Sequence, residues 1–158
     1  MKATTLLREQ HRRLDVLLRH VQNERGQTRL AAMLQLVEEL LTHLSLEDHV
    51  FLRGVADTTG LRLETYRAEQ SEVRNALLQA VFAEQDEPRF EERLGELASE
   101  MQRHTRVMER DVIGLVDCQV PARDLEAMGE RMRRYWDAAI GTRLDQPPPS
   151  KSHVHAAE

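Results

Sequence analysis

Val37-Glu38-Glu39-Leu40-Leu41-Thr42-His43-Leu44-Ser45-Leu46-Glu47-Asp48-His49-Val50-Phe51 is the stretch whose reading decides the fold. Val37, Leu40, Leu44, Glu47 and Phe51 recur at steps of three and four, the period of an α-helix with one apolar face. A strand would alternate every second residue instead. One member of this seam, Glu47, is a carboxylate. His43 stands one turn before it, on the same face. A seam residue faces the core of a helical protein, where an unpaired polar group is costly.

The same pattern continues in both directions. The second helix is expected over Thr28 to Leu52, with Leu30 and Met33 in the seam and Leu34 and Leu41 widening it. Before it, Leu7, His11, Leu14, Leu18 and Val21 define a first helix over Ala3 to Asn23, separated by a turn at Gly26. After it, Arg53 to Gly60 reads as a loop with turn residues Gly54, Asp57 and Gly60. A third helix over Leu61 to Ala83 carries Leu63, Tyr66, Gln70, Val73, Leu77 and Ala80. Asp86-Glu87-Pro88 then starts a fourth helix to Val116. Its stripe is Phe90, Leu94, Leu97, Met101, His104, Met108, Val112 and Leu115. Val120-Pro121 breaks the chain, and Leu125, Met128, Met132 and Trp136 mark a fifth helix over Ala122 to Ile140.

Short connections between long helices favour antiparallel neighbours. The expected fold is all-α: an up-down-up-down four-helix bundle with an additional C-terminal helix packed outside. Residues 1–142 are expected to form this single domain. Residues 143–158, with Pro147-Pro148-Pro149, carry too little apolar surface to fold and are expected to be disordered.

Composition removes several function classes. Charged residues make up 31% of the 158 residues, yet the net charge is only -5 with both signs interspersed, so no basic face for nucleic acid is expected. Arg131, Arg133 and Arg134 read as the solvated face of a helix. The single cysteine, Cys118, excludes an intrachain disulfide and a thiolate metal cluster, and fits a reducing cytoplasm. No run of about 18 apolar residues spans a membrane. Met1-Lys2-Ala3-Thr4-Thr5 leads directly into amphipathic helix without a signal-peptide core. A cytoplasmic location is therefore expected. There is no strand-turn-helix nucleophile elbow, no glycine-rich phosphate loop and no Cys-x-x-Cys-His, so no catalytic residue is assigned.

Four helices each place one polar residue in an apolar seam: His11, Glu47, Gln70 and His104. At a rise of about 1.5 Å per residue, and with alternate helices reversing, these lie about 12, 8, 14 and 18 Å from one end, and His43 about 14 Å. Within the error of the boundaries they form one layer, expected near one end of the bundle. His and Glu converging from facing helices are the ingredients of a metal centre. Taken singly, each has a plainer reading. A lone seam histidine is more often a hydrogen-bonded core residue, and His43 with Glu47 could be an ordinary intrahelical pair.

The segments Leu6-Leu7-Arg8-Glu9-Gln10-His11-Arg12-Arg13-Leu14 and His43-Leu44-Ser45-Leu46-Glu47-Asp48, followed by His104, resemble the hemerythrin-like HHE cation-binding domain over about Thr5 to Leu115. Such domains hold non-haem di-iron inside a four-helix bundle. The resemblance implies His11, His43, Glu47 and His104 as metal ligands. It also marks departures. The third-helix histidine position holds Gln70, and Arg74 stands one turn later. Met108 stands four residues after His104, and Glu109 five residues after, a turn of about 140°, so Glu109 must curl inward or the helix must shift. Gln70 and Glu109 are possible additional ligands. The implied cofactor is non-haem iron or another divalent metal, one or two ions, with fewer than a full di-iron site expected. The implied functions are dioxygen or oxidant binding, redox sensing or iron sequestration. The alternative is a metal-free helical interaction or regulatory domain that keeps a degenerate site.

The other polar residues have plainer expectations. His20 lies on the opposite face from His11, His49 points away from Glu47, and Asp48 sits on a solvated face. His153 and His155 fall in the tail. Met101, Met108, Met128 and Met132 are expected to pack in the core.

Overall fold

The computed structural model describes residues 1–83 and 88–140. Its elements are α1 (Ala3–Asn23), α2 (Gly26–Leu46), a π-helical segment π1 (Glu47–Leu52), α3 (Arg53–Thr59), α4 (Leu63–Phe82), α5 (Pro88–Val107), a second π-helical segment π2 (Met108–Ile113), α6 (Gly114–Gln119) and α7 (Ala122–Ile140). The described residues contain helices and no strand. The tail 143–158, with His153 and His155, lies outside the described residues, as do Asp86, Glu87 and the boundary at 142.

The bundle pairs α1 with α2 and α4 with α5, closed by α1 against α5 and α2 against α4. Helix α7 packs outside, against α1, α2 and π1. It approaches α1 so closely that a Cβ at Gly129 would overlap the Met1 carbonyl. Trp136, Met128, Met132 and Leu125 of α7 are buried there with Leu6, Leu7, Phe51 and Val116. A second apolar cluster, with Leu17, Leu36, Leu40, Leu77, Phe90 and Leu97, fills the other half of the bundle. All of the four singled-out methionines are buried, as expected.

Three expectations need correction. The segment expected as a loop from Arg53 is helical to Thr59, and the chain turns only at Gly60, whose φ of 68° ends α3 in the left-handed region. Gly54 costs too little helix propensity to stop a helix that buries Phe51, Leu52 and Val55 on one side. The seam of α2 is also rotated. Leu36 and His43 are at its centre, whereas Leu30, Leu34 and Leu41 are 38%, 62% and 40% exposed. Finally, the polar layer lies between the two apolar clusters and not near one end, because π1, α3, π2, α6 and α7 extend the core beyond it.

The π-helical turns explain why the fourth stripe changes register. A π turn carries about one residue more than an α turn, so it rotates everything after it. Beyond Met108 the buried positions are Val112, Ile113 and Val116, while Leu115 is only partly buried. Both π segments follow directly on site helices: π1 begins at Glu47 itself, and π2 begins four residues after His104.

Candidate metal centre

His11 from α1, His43 from α2, Glu47 at the start of π1 and His104 from α5 meet in the interior. All four are buried, with exposures of 4%, 0%, 0% and 5%. One ligand-type atom from each lies within 4.8 Å of the other three. The three imidazoles form a triangle, with ring centroids 5.0, 5.8 and 6.0 Å apart and mutually steep planes. Their Nε2 atoms approach the Glu47 carboxylate: His43 at 3.5 Å and His11 at 3.8 Å from Oε2, and His104 at 3.4 Å from Oε1.

These are ion-pair distances without hydrogen-bond alignment. Nε2 of all three histidines and Oε2 of Glu47 are buried and have no hydrogen-bond partner. Native interiors leave few such atoms, because each costs on the order of 1–3 kcal/mol. Four aimed at one point are the arrangement of a cation site, where lone pairs face an ion in place of protons.

The outer nitrogens are held separately. Gln10 Oε1 lies 3.0 Å from His43 Nδ1, so this nitrogen donates and the Nε2 lone pair is left free. Glu109 Oε1 lies 3.1 Å from His11 Nδ1 and does the same for that ring. Glu109 thus stands behind His11, outside the four-atom group, and the π2 turn is what brings it inward. Gln70 is buried and donates Nε2–H to Glu47 Oε1 at 2.8 Å. It faces the same interior as expected, but as a partner of the carboxylate. Met108 packs in the α7-side apolar cluster, away from the four.

Burial pushes His43 down to about 3, more than Glu47 can offset, with His11 and His104 adding to the depression. Burial would raise the Glu47 carboxyl, but His104 first, then His11 and His43, hold it well below the usual carboxylate range. Burial would lower His104, but Glu47 outweighs it and raises the imidazole above its ordinary value. Glu47 thus favours the charged form of His104, and the imidazoles favour the anionic form of Glu47. A cation bound there competes with protons for the same lone pairs.

The residues expected elsewhere behave plainly. His20 is partly buried beside Glu24 at 3.6 Å. His49 is exposed and bonds the Ser45 carbonyl through Nδ1 at 2.9 Å. Asp48, expected on a solvated face, is instead largely covered and pairs with Arg67 at 2.8 Å. Cys118 is exposed near the end of α6. Sequence reading passed over Gln10 and the pairing of Arg13 with the buried Glu39, bonded at 2.7 Å. A signal for Gln10 was present: it belongs to a second buried α1 stripe of Ala3, Leu6, Gln10, Leu14, Leu17 and Val21.

The sequence profile of the Hemerythrin HHE cation binding domain matches residues 2–116. The chain belongs to that family. A search of curated proteins finds no match. Among solved structures, a Hemerythrin HHE cation binding domain-containing protein from Mycobacterium kansasii is 24% identical, with a TM-score of 0.76 over 91% of this chain and 96% of that one. At that identity the likeness establishes the shared bundle. Family membership and the buried His/Glu group together support metal binding by this chain. No described helix is long and apolar enough to cross a membrane.

Proposed function

We propose that the chain binds one divalent metal ion, foremost ferrous iron, through Nε2 of His11, His43 and His104 and the carboxylate of Glu47. The observation that carries this reading is the set of four buried, unpartnered atoms within 4.8 Å of one another. Three neutral imidazoles and one carboxylate suit a borderline metal such as iron or zinc better than calcium or magnesium, which prefer all-oxygen shells. One ion is favoured over two because Gln70 Nε2–H already occupies Glu47 Oε1, the oxygen a second ion would need. Arg74 adds a positive charge that acts on His104 from the third-helix side.

When bound, such an ion supplies reversible electron transfer or a coordination site for dioxygen or another small oxidant. The chain's own residues orient it and keep water out. Gln10 and Glu109 fix the tautomers of His43 and His11, and the apolar clusters on both sides of the layer limit hydration. Oxidant binding, redox sensing or iron sequestration are the roles this arrangement fits, in the cytoplasm. A metal-free helical interaction domain would need its buried polar atoms to satisfy one another, and the four central ones lack partners.

The test is anaerobic loading with ferrous iron, followed by metal analysis and thermal unfolding. The expected result is close to one equivalent per chain and a raised unfolding temperature, because an ion that binds only the folded state stabilises it by mass action. A chain that retains no metal and shows no thermal shift with iron, zinc or cobalt would remove this reading.

A further inference from the structure

Of the eight large apolar side chains exposed among the described residues, six stand on α2 and α4: Leu30, Leu34, Leu41, Leu78, Val81 and Phe82. They are 38% to 80% exposed. Helix periodicity gathers them on one face of the bundle. The Asp48–Arg67 pair, at 2.8 Å, ties the turn after α2 to the first half of α4 and marks the side on which the two helices meet. Counted back from Asp48, Leu41, Leu34 and Leu30 lie about two, four and five turns away. Counted on from Arg67, Leu78, Val81 and Phe82 lie about three to four turns away. The two helices run back from that pair in opposite chain directions, so Leu34 and Phe82 reach about the same depth.

This face is almost free of charge. Glu38 is the one charged side chain on the outer side of α2, since Arg29 and Glu39 are buried. From Asn75 to Phe82 α4 has none. A nucleic acid or a charged peptide therefore has little to hold here. Nor does the rest of the sequence match it: residues 84–87 are all polar, and residues 141–158 contain only Leu144 and Val154 as large aliphatic side chains.

A second copy does match it. The six side chains leave on the order of 500 Å² of apolar surface in water. A stable interface buries about 800 Å² per partner, and about 65% of it is apolar in homodimers. The patch supplies close to that apolar share, and a two-fold contact covers it on both copies at once. An axis along the groove lays α2 of one copy on α4 of the other. Each Glu38 then comes level with the partner's Asn75 and the partner's Gln79, whose amides can donate to it.

We propose that the chain forms a two-fold homodimer through the α2/α4 face, with Leu34 and Phe82 near the centre of the contact. The contact lies outside the metal layer and does not depend on the metal reading.

The experiment is sedimentation equilibrium of the full chain, with reductant present because Cys118 is exposed and could cross-link copies. The mass should rise from 18.3 kDa toward twice that value. The rise should fall between about 1 and 100 μM, the weak end for an interface of this size. Leu34→Lys and Phe82→Lys should each weaken association at least about tenfold. Val16→Lys, at an exposed apolar residue of α1 away from this face, should leave it unchanged. Hydrogen exchange of the parent above and below the midpoint needs no substitution: added protection should fall on residues 30–41 and 75–82. A single-chain mass at the highest concentration overturns the proposal. So does a dimer that both lysine variants leave intact, one that Val16→Lys weakens equally, or one whose added protection lies elsewhere.

Discussion

The two halves of the polar layer are built differently. On the α1/α2 side, His11, His43 and Glu47 are all present, and each imidazole has an outer partner, Glu109 or Gln10. On the α4/α5 side only His104 belongs to the four-residue group. Its Nδ1 is buried without a partner. Gln70 occupies the position of a family ligand, and Met108 has left the layer for the apolar cluster under α7. The first half brings buried donor atoms together without partners, and in the second half Gln70 bonds the Glu47 oxygen on its side. The difference teaches that a single amide bonded to the central carboxylate decides which of its oxygens is left without a partner.

Glu47 is the one residue on which both halves depend, so its removal should have the largest effect. In Glu47→Ala the site should retain no stoichiometric iron. The metal-free protein should lose stability as well, about 1–3 kcal/mol for each buried group left unpaired, because Gln70 Nε2–H and the buried imidazoles lose the carboxylate they face. Denaturant unfolding and metal analysis measure the two effects. Unchanged iron content would break the comparison at its centre.

Acid should act next, and chiefly on the intact half. His43 is held down to about 3 in the folded chain, against 6.5 when unfolded. Between those values the unfolded chain binds a proton that the folded chain does not, so stability falls as pH falls from about 6.5 to about 3. The loss for the metal-free protein should be several kcal/mol, measured by urea unfolding across that window. The raised His104 works in the opposite sense: its contribution is full below 6.5 and is lost as pH rises through its folded value. Iron affinity should accordingly increase with pH, since the ion and protons compete for the imidazole lone pairs.

Two substitutions in the thinned half should then separate its members. Met108→Glu places a carboxylate in an apolar cluster with 0% exposure, so it should cost several kcal/mol that iron does not restore. Gln70→His frees Glu47 Oε1 and adds an imidazole within its reach, so it should raise iron uptake above one equivalent. Thermal unfolding with and without ferrous iron, together with metal analysis, distinguishes the pair. Recovery of Met108→Glu by iron would mean that Met108 still belongs to the layer.

The smallest effects are expected from the outer partners. Gln10→Leu should weaken metal binding about 10–100-fold by freeing the His43 tautomer. Glu109→Gln should weaken it less, because the Glu109 side chain is 38% exposed and water can replace it on His11. Competition titration against a metal-sensitive chelator ranks the two, and the reverse order would show that the His11 side carries the orientation.

Periodicity, with the punctuation at Pro88 and Pro121, was enough to place α1, α7 and the starts of α4 and α5, because an apolar stripe repeating every 3.6 residues marks one face of a helix. It also brought His11, His43, Glu47, His104 and Gln70 to one layer, since rise per residue sets depth once helices alternate in direction. Tertiary packing decided the remainder. Whether a helix stops at Gly54 or continues to Thr59 depends on the α7-side core that Phe51, Leu52 and Val55 enter. The π turns at Glu47 and Met108 are one-residue changes in hydrogen-bond register, and local sequence hardly distinguishes them from α turns. Yet they determine that Glu109 turns toward His11 and Met108 turns away. Composition and spacing specify which side chains share a depth. Which of them point lone pairs at a common centre is settled by helix rotation, and rotation is fixed by what packs on the opposite face.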